Sequence, residues 1–202
     1  MAHTFECEVR FKIENITDFE ARLNQLGGNI AYAYEFIDYY YKPVGKKWNP
    51  VEKNLRIRDW ISPQHQTTVY FDKLQIISID GLQFKRSMYP EGKLPVFRNE
   101  LAICKSLLED IGFEFWFSIR KEKACLWEIP KRNFCTAIEY IESLGWIGEL
   151  EFEGTKPQKA KLAIENALKA LNIPKKLVTH KPISAIYLEH RKADKFDLEF
   201  AD

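Results

Sequence analysis

Apolar and charged side chains alternate strictly over residues 4–13, with a period of two. This period is typical of a β-strand that buries one of its two faces. The pattern predicts a strand over 4–13 with all of its charged side chains on one face. The charged positions are Glu6, Glu8, Arg10 and Lys12, and the apolar positions around them are Phe5, Cys7, Val9, Phe11 and Ile13.

Helical spacing of apolar residues recurs further along the chain. Thr17 is followed three residues later by Glu20, which is the pattern of a capping box at a helix start. The paired glycines that begin at Gly27 are typical of a helix end. The predicted helices span 18–26, 99–111, 155–171 and 183–192, and a charged tail follows over 193–202.

Aromatic and β-branched stretches separated by turn sequences predict the remaining strands. One of them, 67–89, is long enough for two strands with a bend near Leu74. Many strands of this length, interrupted by helices, favour a closed antiparallel β-barrel in a single domain over 1–192. The predicted strands are 30–42, 54–61, 67–89, 114–128, 133–140 and 146–153.

Composition narrows the function classes only slightly. The chain has 202 residues, with 30 lysines and arginines against 29 acidic residues, so its net charge does not indicate a nucleic-acid or membrane partner. It contains no apolar run near the roughly 20 residues of a membrane-spanning helix, and its start does not resemble a signal peptide. Four cysteines without metal-ligand spacing are expected to be buried free thiols, so we expect a cytoplasmic protein. No phosphate-binding P-loop sequence is present.

The charged strand faces are unusually regular. On a single strand such a face ordinarily meets water. Amphipathic helices, however, need apolar sheet surface to cover, and if they cover the outside of a barrel, the charged faces point into its lumen. Arginine and lysine match phosphate oxygens, and glutamates bind Mg²⁺ together with a substrate's phosphates. The regular positions beyond the first strand are Arg56, Arg58, Lys85, Lys121, Lys123, Glu149, Glu151 and Glu153.

Several short motifs, in order, resemble the CYTH, or triphosphate tunnel metalloenzyme, superfamily. Each is weak alone, and their order and spacing together are specific. The superfamily takes in class IV adenylyl cyclases, thiamine triphosphatases and inorganic triphosphatases. The motifs are Glu6-x-Glu8-x-Arg10 for ExExK, Leu26-Gly27, Asp38-Tyr39-Tyr40-Tyr41 for D-x-Y-Y, Leu55-Arg56-Ile57-Arg58 for L-R-I-R, Ile111-Gly112-Phe113 for L-G-F, Lys121-x-Lys123 for K-x-R, the stretch 138–145 for L-D-x-V-x-x-L-G, and Glu149-Leu150-Glu151 for E-I-E.

The resemblance implies an α+β fold: an eight-stranded antiparallel β-barrel, or tunnel, with peripheral helices. It also implies a site that holds a triphosphate together with Mg²⁺ or Mn²⁺. By this resemblance the metal residues are Glu6, Glu8, Glu139, Glu149 and Glu151, the phosphate-binding residues are Arg56, Arg58, Lys73, Lys85, Lys121 and Lys123, and the catalytic residues are Arg10, Lys12 and Tyr40.

This chain departs from the family pattern at several positions. Arg10 stands where the family has a lysine that is thought to help deprotonate the attacking water, and an arginine stays charged. Lys12, on the same strand face, is the expected substitute. Glutamates are missing around Lys85, and the His-Phe pair of class IV cyclases is replaced by His3 and Thr4.

The expected function is metal-dependent hydrolysis of inorganic, nucleoside or thiamine triphosphate. Two alternatives remain open: a class IV type adenylyl cyclase, and a polyphosphate-binding module without catalysis. We expect a small triphosphate-bearing partner and neither nucleic acid nor membrane, while a homodimer stays open.

Overall fold

The computed structural model of the protein describes residues 5–89, 92–154 and 156–199. Ten strands and four α-helices alternate along this part of the chain. The strands are β1 (Phe5–Lys12), β2 (Asn29–Pro43), β3 (Lys53–Ser62), β4 (Gln66–Ile79), β5 (Leu82–Ser87), β6 (Leu94–Arg98), β7 (Phe113–Ile129), β8 (Phe134–Ile141), β9 (Gly145–Gly154) and β10 (Val178–Thr179). The helices are α1 (Ile16–Gln25), α2 (Leu101–Asp110), α3 (Pro157–Leu171) and α4 (Ile183–Glu199).

Eight of the strands close into a ring in which every neighbouring pair is antiparallel. The order around the ring is β1, β5, β4, β3, β2, β7, β8, β9 and back to β1. The closing pair β1–β9 runs in register from Phe5 opposite Gly154 to Lys12 opposite Ile147. The short strands β6 and β10 pair with β4 and β1 outside the ring. The predicted eight-stranded barrel with peripheral helices is confirmed.

The helices cover the outer surface of the barrel, where the apolar strand faces point. Val9 and Phe11 of β1 are buried in one cluster with Leu23 of α1 and Ile164 of α3. Close approach is needed here, since a Cβ atom at Gly148 would lie 2.2 Å from the Phe11 ring. Helix α2 covers another part of the surface in the same way. Because the apolar faces are used outside, the alternate charged positions of these strands turn inward.

Helix α4 covers one end of the barrel. Ile183 and Ser184, in its first turn, are buried, and the Ser184 hydroxyl lies 2.8 Å from the Asn54 side-chain oxygen at the start of β3. One turn later, the Tyr187 ring stacks on Phe117 of β7, with centroids 5.4 Å apart. The barrel is therefore closed at the α4 end.

Several predicted boundaries differ from the structure. Helix α1 begins at Ile16 and is capped by Asn15, whose side-chain oxygen accepts a hydrogen bond from the Asp18 amide, so Thr17 is not the cap. The predicted bend near Leu74 is wrong, because β4 and β5 are joined by a turn at Asp80 and Gly81, both with positive φ.

Other differences lie in the later part of the chain. Strand β6 was not predicted, and it pairs with the first half of β4. The α4 backbone stays helical through Glu199, where a charged tail was expected from residue 193. All four cysteines are free thiols, but Cys135 is exposed rather than buried. The predicted start of the third helix at Thr155 lies outside the described residues, and α3 begins at Pro157. Among the helices described here, none is long and apolar enough to cross a membrane.

Candidate functional site

The barrel encloses a cavity of about 300 Å³ whose lining is dominated by ionisable side chains. Five of the basic residues come from four strands of the ring, β1, β3, β5 and β7, and most of the lining side chains are buried. Buried charges are costly and are retained mainly where they pair or serve a function. The basic residues are Arg10, Arg56, Arg58, Lys85, Lys93 and Lys121, and the acidic residues are Glu6, Glu8, Asp38, Asp72, Glu139, Glu149 and Glu151.

Two arginines of β3 form one ionic cluster with two aspartates of the neighbouring strands. The Nε and Nη2 atoms of Arg58 each donate to one carboxylate oxygen of Asp38, both at 2.8 Å. Arg56 contacts the same Asp38 carboxylate at 3.3 Å and pairs with Asp72 through Nη1. Burial alone would raise the pKa of Asp38, but Arg58 and Arg56 outweigh it and hold that pKa below its usual range. The two arginines thus carry fixed positive charge into the lumen.

A second cluster crosses from β5 to β1 and β9. Glu8 pairs with Lys85 on one side and with Arg10 on the other. The Nη2 atom of Arg10 also lies 2.5 Å from a carboxylate oxygen of Glu149. Burial disfavours the charged form of Arg10, but Glu149 and Glu8 outweigh it and raise its pKa. Conversely, burial raises the pKa of Glu149 and Arg10 and Lys121 lower it, to about 2. Arg10 and Glu149 are therefore charged near neutral pH.

A third cluster joins β7, β8 and β2. The Lys121 ammonium lies 2.6 Å from one oxygen of Glu139, and the Tyr34 hydroxyl donates to the other oxygen at 2.8 Å. The ammonium also lies 5.2 Å from the centre of the Phe36 ring. Lys121 is thus held in the lumen on the wall opposite Lys85.

Glu6 and Glu151 differ from the other lining carboxylates. Within the described part of the chain, no basic side chain forms an ion pair with either of them. Burial is the largest cause that raises the pKa of Glu6. Burial followed by repulsion from Glu6 and Glu149 raises the pKa of Glu151 to about 8. Glu151 is partly exposed, so solvent screens some of this repulsion. Among the described residues these two are the lining carboxylates that form no ion pair, and the nearby charges of Lys85 and Lys93 offset only part of the rise in the Glu6 pKa.

The open end of the cavity lies opposite α4. The strands β1 and β2 run in the same direction around the ring, and their lining residues Glu6 and Tyr32 lie at the end away from α4. Tyr32 is 49% exposed, whereas Tyr40, near α4, is 3% exposed. Glu6 also meets the segment after β5, because a Cβ atom at Gly92 would overlap the Glu6 carboxylate. The open end of the cavity is therefore lined by Glu6, Glu151 and Tyr32, and the arginines lie deeper inside.

Solved structures of several proteins share this architecture. A Pyrococcus horikoshii protein aligns over 91% of this chain and 98% of its own, with a TM-score of 0.71 and 14% identity. A Vibrio parahaemolyticus protein named as a candidate adenylate cyclase aligns over 92% and 98%, with a TM-score of 0.67 and 13% identity. A Hippeastrum protein, named as a candidate adenylyl cyclase and described as having a dominant triphosphatase activity, aligns over 92% and 95%, with a TM-score of 0.62 and 15% identity.

The chain shares with these structures a CYTH-like tunnel fold. No protein-family model and no curated protein sequence matches it. At these low identities the likeness concerns the fold, so the chemistry of this tunnel has to be argued from its own residues.

The tunnel brings together eleven of the fourteen residues predicted for the site. All eleven line the cavity, whereas their individual roles stay predictions. They are Glu6, Glu8, Arg10, Tyr40, Arg56, Arg58, Lys85, Lys121, Glu139, Glu149 and Glu151.

The placement of the other three predicted residues in the tunnel was wrong. Lys12 is exposed because it is the last residue of β1, beyond the end of the cavity. Lys73 is exposed because its neighbour Asp72 faces the lumen, and successive strand residues face opposite sides. Lys123 is turned outward by an irregularity in the β7–β8 ladder, where it adopts a positive φ of 48°.

Other lining residues were not assigned to the site from the sequence. Asp38 is in phase with the predicted site residue Tyr40 on β2, so strand alternation is a signal that could have found it. Asp72 is in phase with the lining residue Leu74 on β4. Lys93 follows Gly92 in the segment after β5, and no periodic pattern marks it. Burial and the nearby Arg58 and Arg56 lower the pKa of Lys93.

The geometry can be compared with what a divalent cation needs. Among the described residues, no group of three histidine, cysteine, aspartate or glutamate side chains is placed to hold a metal ion. Mg²⁺, however, is usually bound by one or two carboxylates, with waters and substrate phosphates completing its coordination. Glu6 and Glu151 supply two carboxylates that form no ion pair among the described residues, so the donor set fits a cation that is shared with a phosphate ligand.

Proposed function

We propose that the protein is a metal-dependent hydrolase of triphosphates, which it binds inside the tunnel. The main support is a group of five basic side chains on the wall of one cavity, of which Arg10, Arg56, Lys85 and Lys121 are buried and Arg58 is half-buried. A polyanion is the ligand that best balances such a wall once metal neutralises the remaining carboxylates.

The arginines of β3 are the main phosphate-binding groups in this proposal. Arg58 and Arg56 are held by Asp38 and Asp72, and the fixed guanidinium planes match phosphate oxygens in pairs. Lys121, across the lumen, adds a point charge. These groups are in place before the ligand arrives, so little reorganisation accompanies the reaction.

Glu6 and Glu151 would hold the divalent cation at the open end of the cavity. Bound Mg²⁺ or Mn²⁺ would polarise the phosphoryl oxygens and neutralise charge that develops on them. The mutual repulsion of these carboxylates would be relieved by the cation, which links metal binding to their deprotonation. Lys93, beside Glu6, would then face the phosphates rather than the acids.

Arg10 does not serve as a proton acceptor in this proposal. Its guanidinium is tied to Glu8 and Glu149, and its pKa is raised, so it stays charged. Its role is to position those carboxylates. Burial and the nearby Asp38 raise the pKa of Tyr40, so its hydroxyl is a hydrogen-bond donor rather than a base. Catalysis would come mainly from positioning and charge stabilisation, as in phosphoryl transfer generally.

Binding without catalysis is the second candidate, and it is favoured by one observation. Neither Arg10 nor Tyr40 can accept a proton near neutral pH, and Lys12 lies outside the lumen. Cyclisation of ATP, the third candidate, uses the same metal and phosphate contacts and would differ only in its product.

A product assay would test the proposed function. Inorganic triphosphate, ATP and thiamine triphosphate would be incubated with the protein and Mg²⁺ or Mn²⁺, and phosphate, pyrophosphate and cyclic AMP would be measured. Lys121→Gln is the test variant, and Arg120→Gln is the matched control, because Arg120 is the neighbouring residue on the outer face. Metal-dependent phosphate release that falls with Lys121→Gln only would support hydrolysis. Cyclic AMP, or tight binding with no product, would replace it with the corresponding alternative.

The expectations about cellular context are separate from this assay. A cytoplasmic location, the absence of nucleic-acid and membrane partners, and the open question of a homodimer remain predictions from the sequence.

A further inference from the structure

Four aromatic residues on β2 and β3 line one side of the cavity, and we call them the aromatic wall: Tyr32, Tyr34, Phe36 and Trp60. The rings form a continuous series. Tyr32 lies 5.7 Å from Tyr34, and Tyr34 stacks on Phe36 at 5.7 Å with an angle of 7° between the planes. Trp60 meets Phe36 edge-on at 4.8 Å. An aromatic series of this kind inside a highly charged cavity calls for an explanation.

The inner part of the aromatic wall positions an arginine. The Arg58 guanidinium lies 3.7 Å from the centre of the Phe36 ring and 5.5 Å from that of Trp60. Stacking on aromatic faces is a usual way to hold a guanidinium plane. Phe36 and Trp60 are thus accounted for by the phosphate-binding end of the cavity.

The outer part of the aromatic wall has no such role. Alternate residues of a strand are about 7 Å apart, so Tyr34 and Tyr32 lie successively further from Asp38 and Arg58, towards the open end. Tyr34 is fixed by its hydrogen bond to Glu139, and its ring remains part of the lining. Tyr32 is 49% exposed, and its only ring contact in the described residues is with Tyr34. The Tyr32 ring therefore offers a free aromatic face at the entrance.

The size of the cavity places the organic part of a substrate at this entrance. About 300 Å³ is the lower limit of typical small-molecule sites. In the proposed function, a triphosphate and its cation would occupy the space that the arginines and lysines line. The phosphate that enters last lies nearest the open end. Any group attached to that phosphate therefore lies between Glu151 and Tyr32.

We propose that the outer aromatic wall, Tyr32 with Tyr34, binds the heteroaromatic ring of an organic triphosphate by stacking. This inference rests on the proposed triphosphate binding and names its substrate class: a triphosphate that carries a planar nitrogen heterocycle, rather than inorganic triphosphate. Ring stacking is sequence-tolerant, because every heterocyclic base has a π-face. The two sources of such a ring, a nucleoside and a thiamine-type cofactor, are separated by the test.

The test compares the dissociation constants of ATP, thiamine triphosphate and inorganic triphosphate by titration calorimetry with Mg²⁺ at low temperature. Each ligand is recovered afterwards and checked by chromatography to confirm that it is intact. The variants are Tyr32→Ala, Tyr32→Phe, which keeps the ring, and Ile30→Ala. Ile30 is the control because it is an exposed apolar residue of the same strand that does not line the cavity.

We expect wild-type protein to bind at least one organic triphosphate more tightly than inorganic triphosphate. Tyr32→Ala should weaken that binding about fivefold to a hundredfold, the effect usual for a base stacked on an aromatic side chain. Tyr32→Phe and Ile30→Ala should lie within about twofold of wild type, as should inorganic triphosphate with every variant. The organic triphosphate that responds identifies the source of the ring.

Two other outcomes overturn different claims. If inorganic triphosphate binds as tightly as both organic triphosphates and Tyr32→Ala changes none of them, the ring site is refuted and triphosphate binding stands. If wild-type protein binds no triphosphate at all, the proposed function itself is refuted.

Discussion

Replacing Arg58 tests the phosphate-binding wall at its best-defined position. Two nitrogen atoms of Arg58 donate to Asp38 at 2.8 Å, and its guanidinium lies 3.7 Å from the centre of the Phe36 ring, so its position is fixed from two sides. A hydrogen bond to a charged group contributes about 1.5–3 kcal/mol. Losing one such contact to a phosphate in Arg58→Ala should therefore raise the dissociation constant of triphosphate roughly 10- to 150-fold.

The conservative variant and the stability of the fold refine this prediction. Arg58→Lys keeps the charge and loses the planar pair of donors, so it should restore only part of the affinity. Breaking a buried ion pair by removing one partner commonly costs about 3–5 kcal/mol. The cost of Arg58→Ala to the free energy of unfolding should be below that range, because Asp38 keeps its contact with Arg56 at 3.3 Å.

The measurement is titration calorimetry with inorganic triphosphate at two salt concentrations, together with urea unfolding. Arg120→Ala is the control, since Arg120 pairs with Glu35 on the outer face, where such pairs contribute about 0–1 kcal/mol. If Arg58→Ala, Arg58→Lys and wild-type protein give indistinguishable binding curves, the arginines of β3 are not part of the ligand site and the argument from the basic wall fails.

Four further predictions concern the acidic end and the packing of the barrel. Mn²⁺ affinity should rise with pH through the Glu151 pKa of about 8, because burial and neighbouring carboxylates keep this carboxyl protonated below that pH. Glu151→Gln should flatten the pH profile measured by calorimetry. An identical profile in the variant would exclude Glu151 from the metal site. The stability of the metal-free protein should fall as the pH rises from about 4.5 to about 8, since the folded carboxyl keeps a proton that the unfolded chain releases near its ordinary pKa of 4.5, and thermal unfolding of Glu151→Gln should show a smaller fall. Gly92→Ala should weaken Mn²⁺ binding, because its Cβ atom would overlap the Glu6 carboxylate and Gly92 has a φ of +77°; unchanged calorimetric affinity would show that Glu6 does not bind the metal. Gly148→Ala should lower the urea midpoint instead, because the added Cβ atom would lie 2.2 Å from the Phe11 ring, and a wild-type midpoint would mean that the ring can move aside.

The sequence predicted the lumen best where strands are regular. On β1, β3 and β9 the period of two continues without interruption, so the inward positions of Glu6, Arg56 and Glu149 follow from their phase alone. Closure of the ring was also predictable, because three amphipathic helices need the outer face of the sheet to cover. The resemblance to the superfamily added the prediction of which strands contribute residues to the same site.

Prediction failed where the backbone departs from that period. The irregular ladder at Lys123 reverses the direction of one side chain, and nothing in the local sequence marks it. On β4 the predicted phase was wrong by one residue, so Lys73 was predicted to face the lumen where Asp72 does. Lys12 was misplaced because β1 reaches the end of the cavity before Lys12. How far a strand lines the cavity depends on how the ring is closed rather than on the sequence of the strand. Lys93 lies in an irregular segment, and tertiary structure rather than a local sequence pattern brings it to the cavity.

The ion pairs inside the lumen could not be predicted from the sequence either. That Asp38 holds both Arg56 and Arg58, and that Arg10 is shared by Glu8 and Glu149, depends on register between strands that are far apart in the chain. Local patterns fix which face a residue occupies, whereas long-range register fixes its neighbours.

Titration of the wild-type protein with inorganic triphosphate, with and without Mn²⁺, tests the central claim most directly. The account predicts one ligand per chain, an affinity that rises when Mn²⁺ is present, and a strong decrease of affinity with added salt, because the contacts are ionic. Binding that is absent in both conditions, or that is equal with and without Mn²⁺, would contradict a tunnel that holds triphosphate together with a divalent cation.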